Sequence, residues 1–383
     1  MKRFVNLKNA AIAFALTAAF IAFIGLMPDS SSAYGADDYD EEALTSTSDG
    51  AQVLPDMSNV ILSADTLYLI DSDYYYAGEN DENQVTFYNA PYVMSDYNTA
   101  LTVTSSNPSF VPGYNLSTYL TDNVLTFNTE VRGVTTLTVT LNGASYNITL
   151  ISGYVSMKDS ILMQKGTKYT LKVSQDFAGQ YYIPAKAFKW SSTDATVARV
   201  SGSGVFKAKK TGNAIIYADY GSARLGCAVS VATKKTITAI KKAIRIGKTC
   251  TYSQPYRMKK GYYDCSSLTW RAYKAAGVTL VSRYYAATAA EQARWLVVTK
   301  GNKWMKFTSA GIKKMKYNAG DLGFNAGYPN GRYKGIYHVE MFIGYRYCGY
   351  YKGKPSLTPR WANRSDGYYT TNIVHFNDIG VKT

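Results

Sequence analysis

The chain has 383 residues, 46% of them hydrophobic, enough for two or three domains with their own cores. Four cysteines and two histidines, with no C-x-x-C spacing, argue against a structural zinc site and against a disulfide-dense scaffold. The formal net charge of +15 is unevenly spread: Tyr154 to Thr383 carries 38 Lys or Arg against 10 Asp or Glu, whereas Tyr34 to Gly153 carries 16 acidic residues and a single Arg. A basic region of this size suits an anionic polymer as partner.

The N-terminus reads as an export signal over residues 1–33. Lys2, Arg3 and Lys8 precede an apolar run from Ala10 to Met27, and Ser31-Ser32-Ala33 fits a small-residue cleavage site. The run is also long enough for an uncleaved anchor. Cleavage leaves no stable membrane insertion, because no later segment has the apolarity of a span. Residues 34–54 are acidic, rich in Ser, Thr and Gly, and read as a disordered spacer.

Residues 55–152 hold short alternating runs such as "QVTFY", "ALTVTSS" and "TTLTVTLNG", the pattern of an antiparallel sandwich. Residues 153–232 repeat the plan with "KYTLKV", "FKWSSTDATVARV" and "CAVSVA". An internal echo supports two copies: the serine at Ser105 returns at Ser191, and Gly133 returns at Gly212. Trp190 reads as a core residue between the sheets of the second copy. From "KGTKYTL" through "KWSSTDATVARVSGSGVFKAKKTGNAIIYA" to the strand of Cys227, the second copy resembles the bacterial immunoglobulin-like domain of group 2; the first fits more loosely.

The texture changes in residues 233–383. "KKTITAIKKAIRIG" has the spacing of an amphipathic helix stopped by Gly247. A second helix starts at Cys265, a third covers "TAAEQARWLV", and the end is strand-rich, so the region reads as α+β. A long loop is expected over Lys300 to Lys316. Cys250 and Cys348 are left open as a disulfide or two free thiols. The tyrosines from Tyr345 to Tyr351 suggest either strand propensity or an aromatic face for sugar rings.

Cys265 is the focus of the chemistry. Asp264, Ser266 and Ser267 around it are helix N-cap residue types, and a thiol in the first turn feels the positive end of the helix dipole. That placement favours the nucleophilic thiolate form. A base is then needed, and His338 opens the alternating strand "YHVEMFIGY".

"YYDCSSLTWRAYKAAGV", "NAGDLGFN" and "YHVEMFIGY" together resemble the NlpC/P60 family of cell-wall cysteine peptidases over nearly all of residues 233–383. The resemblance implies a papain-like fold, with Cys265 as nucleophile, His338 as base and no cofactor. It also implies a substrate of peptidoglycan stem peptides, cut at the D-γ-glutamyl–diamino acid bond. Tyr263, Asp264, Ser266 and Ser267 would then hold the free amine of a short stem, with Arg283 as a further contact. Ser267 and Glu340 stand where that family has glycine. Glu340 shares a strand face with His338, so it either orients the base or binds an amine. The third catalytic member is assigned to Asn363, with Asp366 and His375 as alternatives. The expected whole is two immunoglobulin-like sandwiches ahead of a catalytic domain, secreted or wall-associated. Its partners are then stem peptides and anionic wall polymers, not nucleic acid. An amidase or acyl transferase using the same Cys–His pair, or an adhesive wall-binding protein with an inactive last domain, are the rival readings.

Overall fold

The computed structural model describes residues 60–71, 83–88, 101–113, 124–127, 133–141, 143–177, 181–221, 223–351, 353–362 and 370–376. The expected leader (1–33), the acidic spacer (34–54), Asn363 and Asp366 lie outside these residues. The described chain is mostly β, and its N-terminal half is two β-sandwiches.

In the first sandwich, Val134–Leu141 alternates half-buried and buried positions and sends Leu137, Val139 and Leu141 into a core with Val85, Phe87 and Phe127. Period-two burial of this kind is what an apolar–polar alternation produces on one covered sheet face. In the second, Ile161, Phe206, Ala214, Ile216, Cys227 and Val229 make the core. Both copies share one wiring. An early strand pairs in parallel with the last: Thr66–Asp71 with Ala144–Met157, and Ser160–Gln164 with Ala223–Ala232. Ser105 and Ser191 lie in equivalent strands, each antiparallel to the long strand after it. Trp190 is half-buried, packs against two core clusters and donates its indole N–H to Ala185 O at 2.8 Å.

The expected boundary at 152/153 falls inside a strand. Ala144–Met157 runs 14 residues without a break, and its last part, Gly153 to Met157, pairs with Val173–Phe177. One strand therefore serves both copies.

The C-terminal region places helices against a sheet. α1 (Lys234–Thr249) is capped by the Thr233 hydroxyl and buries Ile237, Ile240, Ala243 and Ile246. It runs through Gly247 and ends at Cys250, because the tertiary packing of its apolar face outweighs the weak helix propensity of one glycine. α2 (Cys265–Ala275) and α3 (Ala289–Arg294) follow, the latter with a Thr288–Glu291 capping box and a π-helical turn to Thr299. The stretch from Lys300 to Lys316 is not one long loop. It forms the strand Trp304–Lys306 and a short helix, α4 (Ser309–Lys313). The sheet has five antiparallel strands in the order Trp304–Lys306, Asn372–Val374, Leu322–Asn325, His338–Tyr351, Lys354–Trp361. Ala239, Ile240, Leu268, Tyr273, Val339, Met341 and Ile343 join helices and sheet in one core.

This sheet packs directly on the second sandwich. Ile215, Tyr217 and Ala228 share a buried cluster with Phe342, Tyr345, Tyr347 and Trp361. The Tyr347 ring lies over Gly226, where a Cβ would come within 2.5 Å of it. Asn213 Nδ2 donates to Tyr317 O at 2.8 Å, and Tyr347 N–H donates to Asp159 O at 3.0 Å. Tyr345 and Tyr347 are thus buried in this joint, and Tyr350 and Tyr351 are the exposed pair. Of that run, Tyr350 and Tyr351 alone are left to form an exposed aromatic face.

Gly226→Val is expected to destabilise the protein by about 1–3 kcal/mol, the usual cost of forcing atoms into a filled contact. Thermal unfolding checks it; a melting temperature unchanged from wild type would show that the joint yields.

Candidate active site

Asp264 caps α2 and is nearly fully buried. Its Oδ1 accepts from Ser267 N–H at 2.7 Å, and the Ser267 hydroxyl accepts from Asp264 N–H at 2.8 Å. That reciprocal box satisfies two helix-start donors that would otherwise be orphaned in the interior. Ser267 is fully buried and bonded to its own helix cap. The serine that replaces the expected glycine is therefore a structural element of the helix start. Cys265 is the first residue of the helix so fixed.

A short parallel ladder precedes it, pairing Thr251–Tyr252 with Tyr262–Tyr263. Tyr252 was not singled out from the sequence. Its ring stands edge-on to Tyr263 at 5.5 Å, and it lies close enough to Cys265 for that residue to raise its pKa. Burial, and then the charge and hydrogen bond of Cys265, push this phenol up to about 12, so it stays a proton donor through neutral pH. No motif spacing marks Tyr252; only the pairing of the two short strands brings it to the sulfur.

His338 is the first residue of its strand, opposite Asn325. Its Nε2 lies 3.1 Å from Glu340 Oε1, and Cys265 is near enough to the ring to raise its pKa. Glu340 is buried, and its Oε2 has no hydrogen-bond partner among the described residues. Burial alone disfavours the imidazolium, but the hydrogen bonds and charges of Cys265 and Glu340 outweigh it and push His338 up to about 9. Of the two places expected for Glu340, the geometry puts its carboxylate against the His338 ring.

His375 is held away from His338. Its Nδ1 bonds Asp321 Oδ2 at 2.6 Å, and its neighbour Val374 pairs with Leu322, at the other end of the strand Leu322–Asn325 from His338. The bond to Asp321 raises the His375 pKa, and burial raises that of Asp321. Arg283 is exposed, and its carbonyl accepts from Lys274 Nζ at 3.0 Å. The arginine at the helix start is Arg257, which sequence reasoning passed over. It donates from Nη1 to Asp264 Oδ2 at 3.1 Å and to Ser266 Oγ at 2.8 Å, and from Nη2 to Ala286 O. Gln292, fully buried on α3, donates to Ser266 O at 2.8 Å and locks the same turn from the other side. All four cysteines are free thiols. Among the described residues no group of three or more His, Cys, Asp or Glu is placed to hold a metal ion.

Residues 155–221 match the bacterial Ig-like domain, group 2. No curated protein matches the chain. Among solved structures, domains 4 and 5 of the S-layer protein SbsC align over 35% of this chain and 77% of theirs, at 18% identity and a TM-score of 0.19. The C-terminal 282-residue fragment of intimin, solved with the intimin-binding domain of the translocated intimin receptor, aligns over 62% of this chain and 89% of its own, at 14% identity and a TM-score of 0.28. Invasin, a bacterial integrin-binding protein, aligns over 46% of this chain and 39% of its own, at 12% identity and a TM-score of 0.24. The architecture is thus mostly β and Ig-like, an assignment carried by the matched span and the shared wiring of the two sandwiches. The match ends ahead of α1 and the five-stranded sheet.

Ser267→Gly is expected to lower stability by about 1–2 kcal/mol, since a buried N–H loses its acceptor; denaturant unfolding reads this, and an unchanged midpoint would contradict the role given to Ser267. His338 should titrate near 9 by proton NMR. Its ion-pairing therefore stabilises the fold fully below about 6.5 and loses that contribution as pH rises through about 9. In Glu340→Gln the titration should move down by about one unit or more.

Proposed function

We propose that the protein is an exported cysteine peptidase of the cell wall, with a papain-like catalytic domain over residues 233–383. One observation carries the reading. Cys265 stands in the first turn of a helix whose buried start is closed by a capping box, beside a histidine whose Nε2 is held by a buried carboxylate. Nucleophile, base and orienting group in that order are the parts of a Cys–His–acid triad. In this reading Glu340 takes the orienting role given to Asn363 in the sequence analysis.

The chemistry follows from the parts. The Cys265 sulfur adds to an amide carbonyl carbon, and the proton it has given up rests on His338. Tyr252 O–H and the Cys265 backbone N–H are the donors available to the developing oxyanion. His338 passes its proton to the leaving amine as the C–N bond breaks, leaving an acyl thioester. Water then gives a proton to His338 and adds to the thioester. The C–S bond breaks, a carboxylic acid leaves, and the proton returns to the thiol. The substrate is a peptidoglycan stem peptide, and the basic C-terminal half holds the enzyme on anionic wall polymers. The bacterial Ig-like match accords with an extracellular or surface location. Among the described residues no helix is long and apolar enough to cross a membrane.

A second reading, an adhesive or wall-binding protein with an inactive last domain, is favoured by the Ig-like match and the β-rich build. Digestion of purified sacculi separates the two. Wild type should release muropeptides bearing a new free amine on the diamino acid, and Cys265→Ala should release none. Equal release by both, or binding without release by wild type, would sink the peptidase reading. A different new terminus would point to an amidase.

A further inference from the structure

We infer that a cavity between the second sandwich and the C-terminal sheet binds a small amphipathic anion, a carboxylate or phosphate head on a short aliphatic chain. The cavity holds about 310 Å³, at the lower end for small-ligand sites. Neither Cys265 nor His338 lines it, so the inference stands apart from the peptidase reading.

Three elements meet there. The edge strand Ser160–Gln164 contributes Leu162 and Met163, α1 contributes Ile244, and the strand His338–Tyr351 contributes Ile343. Against these apolar walls the charge is of one sign. Lys158 and Arg360 border the cavity, and among the described residues that line it there is no Asp or Glu. Arg360 is half-buried, and among the described residues its guanidinium makes no hydrogen bond or ion pair. The carboxylate whose field it feels, Asp159, is bonded instead by Ser160 Oγ at 2.7 Å and by Arg346 Nε at 3.1 Å. Burial, and then the like charge of Arg346, lower the Arg360 pKa, and the field of Asp159 does not make up the difference. The guanidinium is thus held charged at a cost that an oxyanion beside it would relieve, and its planar fork suits a carboxylate or a phosphate. Lys158 and Tyr169 are exposed, with Lys158 Nζ 6.0 Å from the Tyr169 ring centre, so the cavity is reached from solvent on their side. A head group between Arg360 and Lys158 leaves its chain facing Leu162, Ile244 and Ile343, where each methylene taken out of water adds affinity.

Calorimetry on the full-length protein tests this with butyl, hexyl and octyl phosphate, hexanoate, inorganic phosphate and hexyltrimethylammonium, each below its micelle concentration. Affinity for the alkyl phosphates should rise about two- to fourfold per added methylene. Hexyl phosphate should bind about tenfold or more tighter than inorganic phosphate or the ammonium. The tighter of hexyl phosphate and hexanoate then tells which head the site takes. Arg360→Met should weaken hexyl phosphate about ten- to a hundredfold, the worth of a charge-assisted hydrogen bond, and Arg360→Lys should recover part of the loss. Ile244→Trp fills the cavity and should remove the dependence on chain length. The ratio of two ligands on one protein does not depend on how much of a variant is folded. No binding by wild type, inorganic phosphate or the ammonium binding as tightly as hexyl phosphate, or a preference for the anion unmoved in Arg360→Met, overturns the inference.

Discussion

The buried start of α2 is the constraint on which the site depends. A helix N-terminus in the interior leaves N–H groups that water cannot reach, and each must find an acceptor in the protein. Asp264 and Ser267 supply acceptors to each other's backbone, Arg257 neutralises the buried carboxylate, and Gln292 ties the turn to α3. Cys265 inherits a fixed position from that arrangement. The strand His338–Tyr351 then has to bring only one ring to the sulfur, and Glu340, two residues along on the same face, holds the ring from behind.

Much of this was legible from residue types. Asp264 before Cys265 and two serines after it announce a helix start, and the alternation after His338 announces a strand; both are short-range patterns with a local physical cause. The sandwiches were legible for the same reason, as period-two runs between turn residues. What failed was of a different kind. Gly247 gave a stop signal that packing of the Ile240–Ala243 face overrode. The 152/153 boundary assumed that a repeat ends where a strand ends, but Ala144–Met157 serves both copies. Tyr252 and Arg257 were invisible because they reach the site through the chain's return in space, over a parallel ladder of two residues per strand. Arg283 was chosen by its place in a motif, and its neighbour in space is Lys274.

The sandwiches do more than hold the last domain at a distance. Tyr347 against Gly226 and Asn213 against Tyr317 make the second sandwich one wall of the sheet that carries His338. Close packing of this kind gives a rigid joint, because little free volume remains to absorb a shift.

The central claim is that His338 activates Cys265, and relative alkylation rates test it most directly. Cys265 is only 7% exposed and Cys250 is more open, so accessibility alone makes Cys250 the faster thiol. Iodoacetamide labelling at pH 6, followed site by site with mass spectrometry, should show Cys265 reacting well ahead of Cys250, with that lead lost in His338→Ala. Cys265 reacting no faster than Cys250, or at a rate indifferent to removal of His338, would contradict the account.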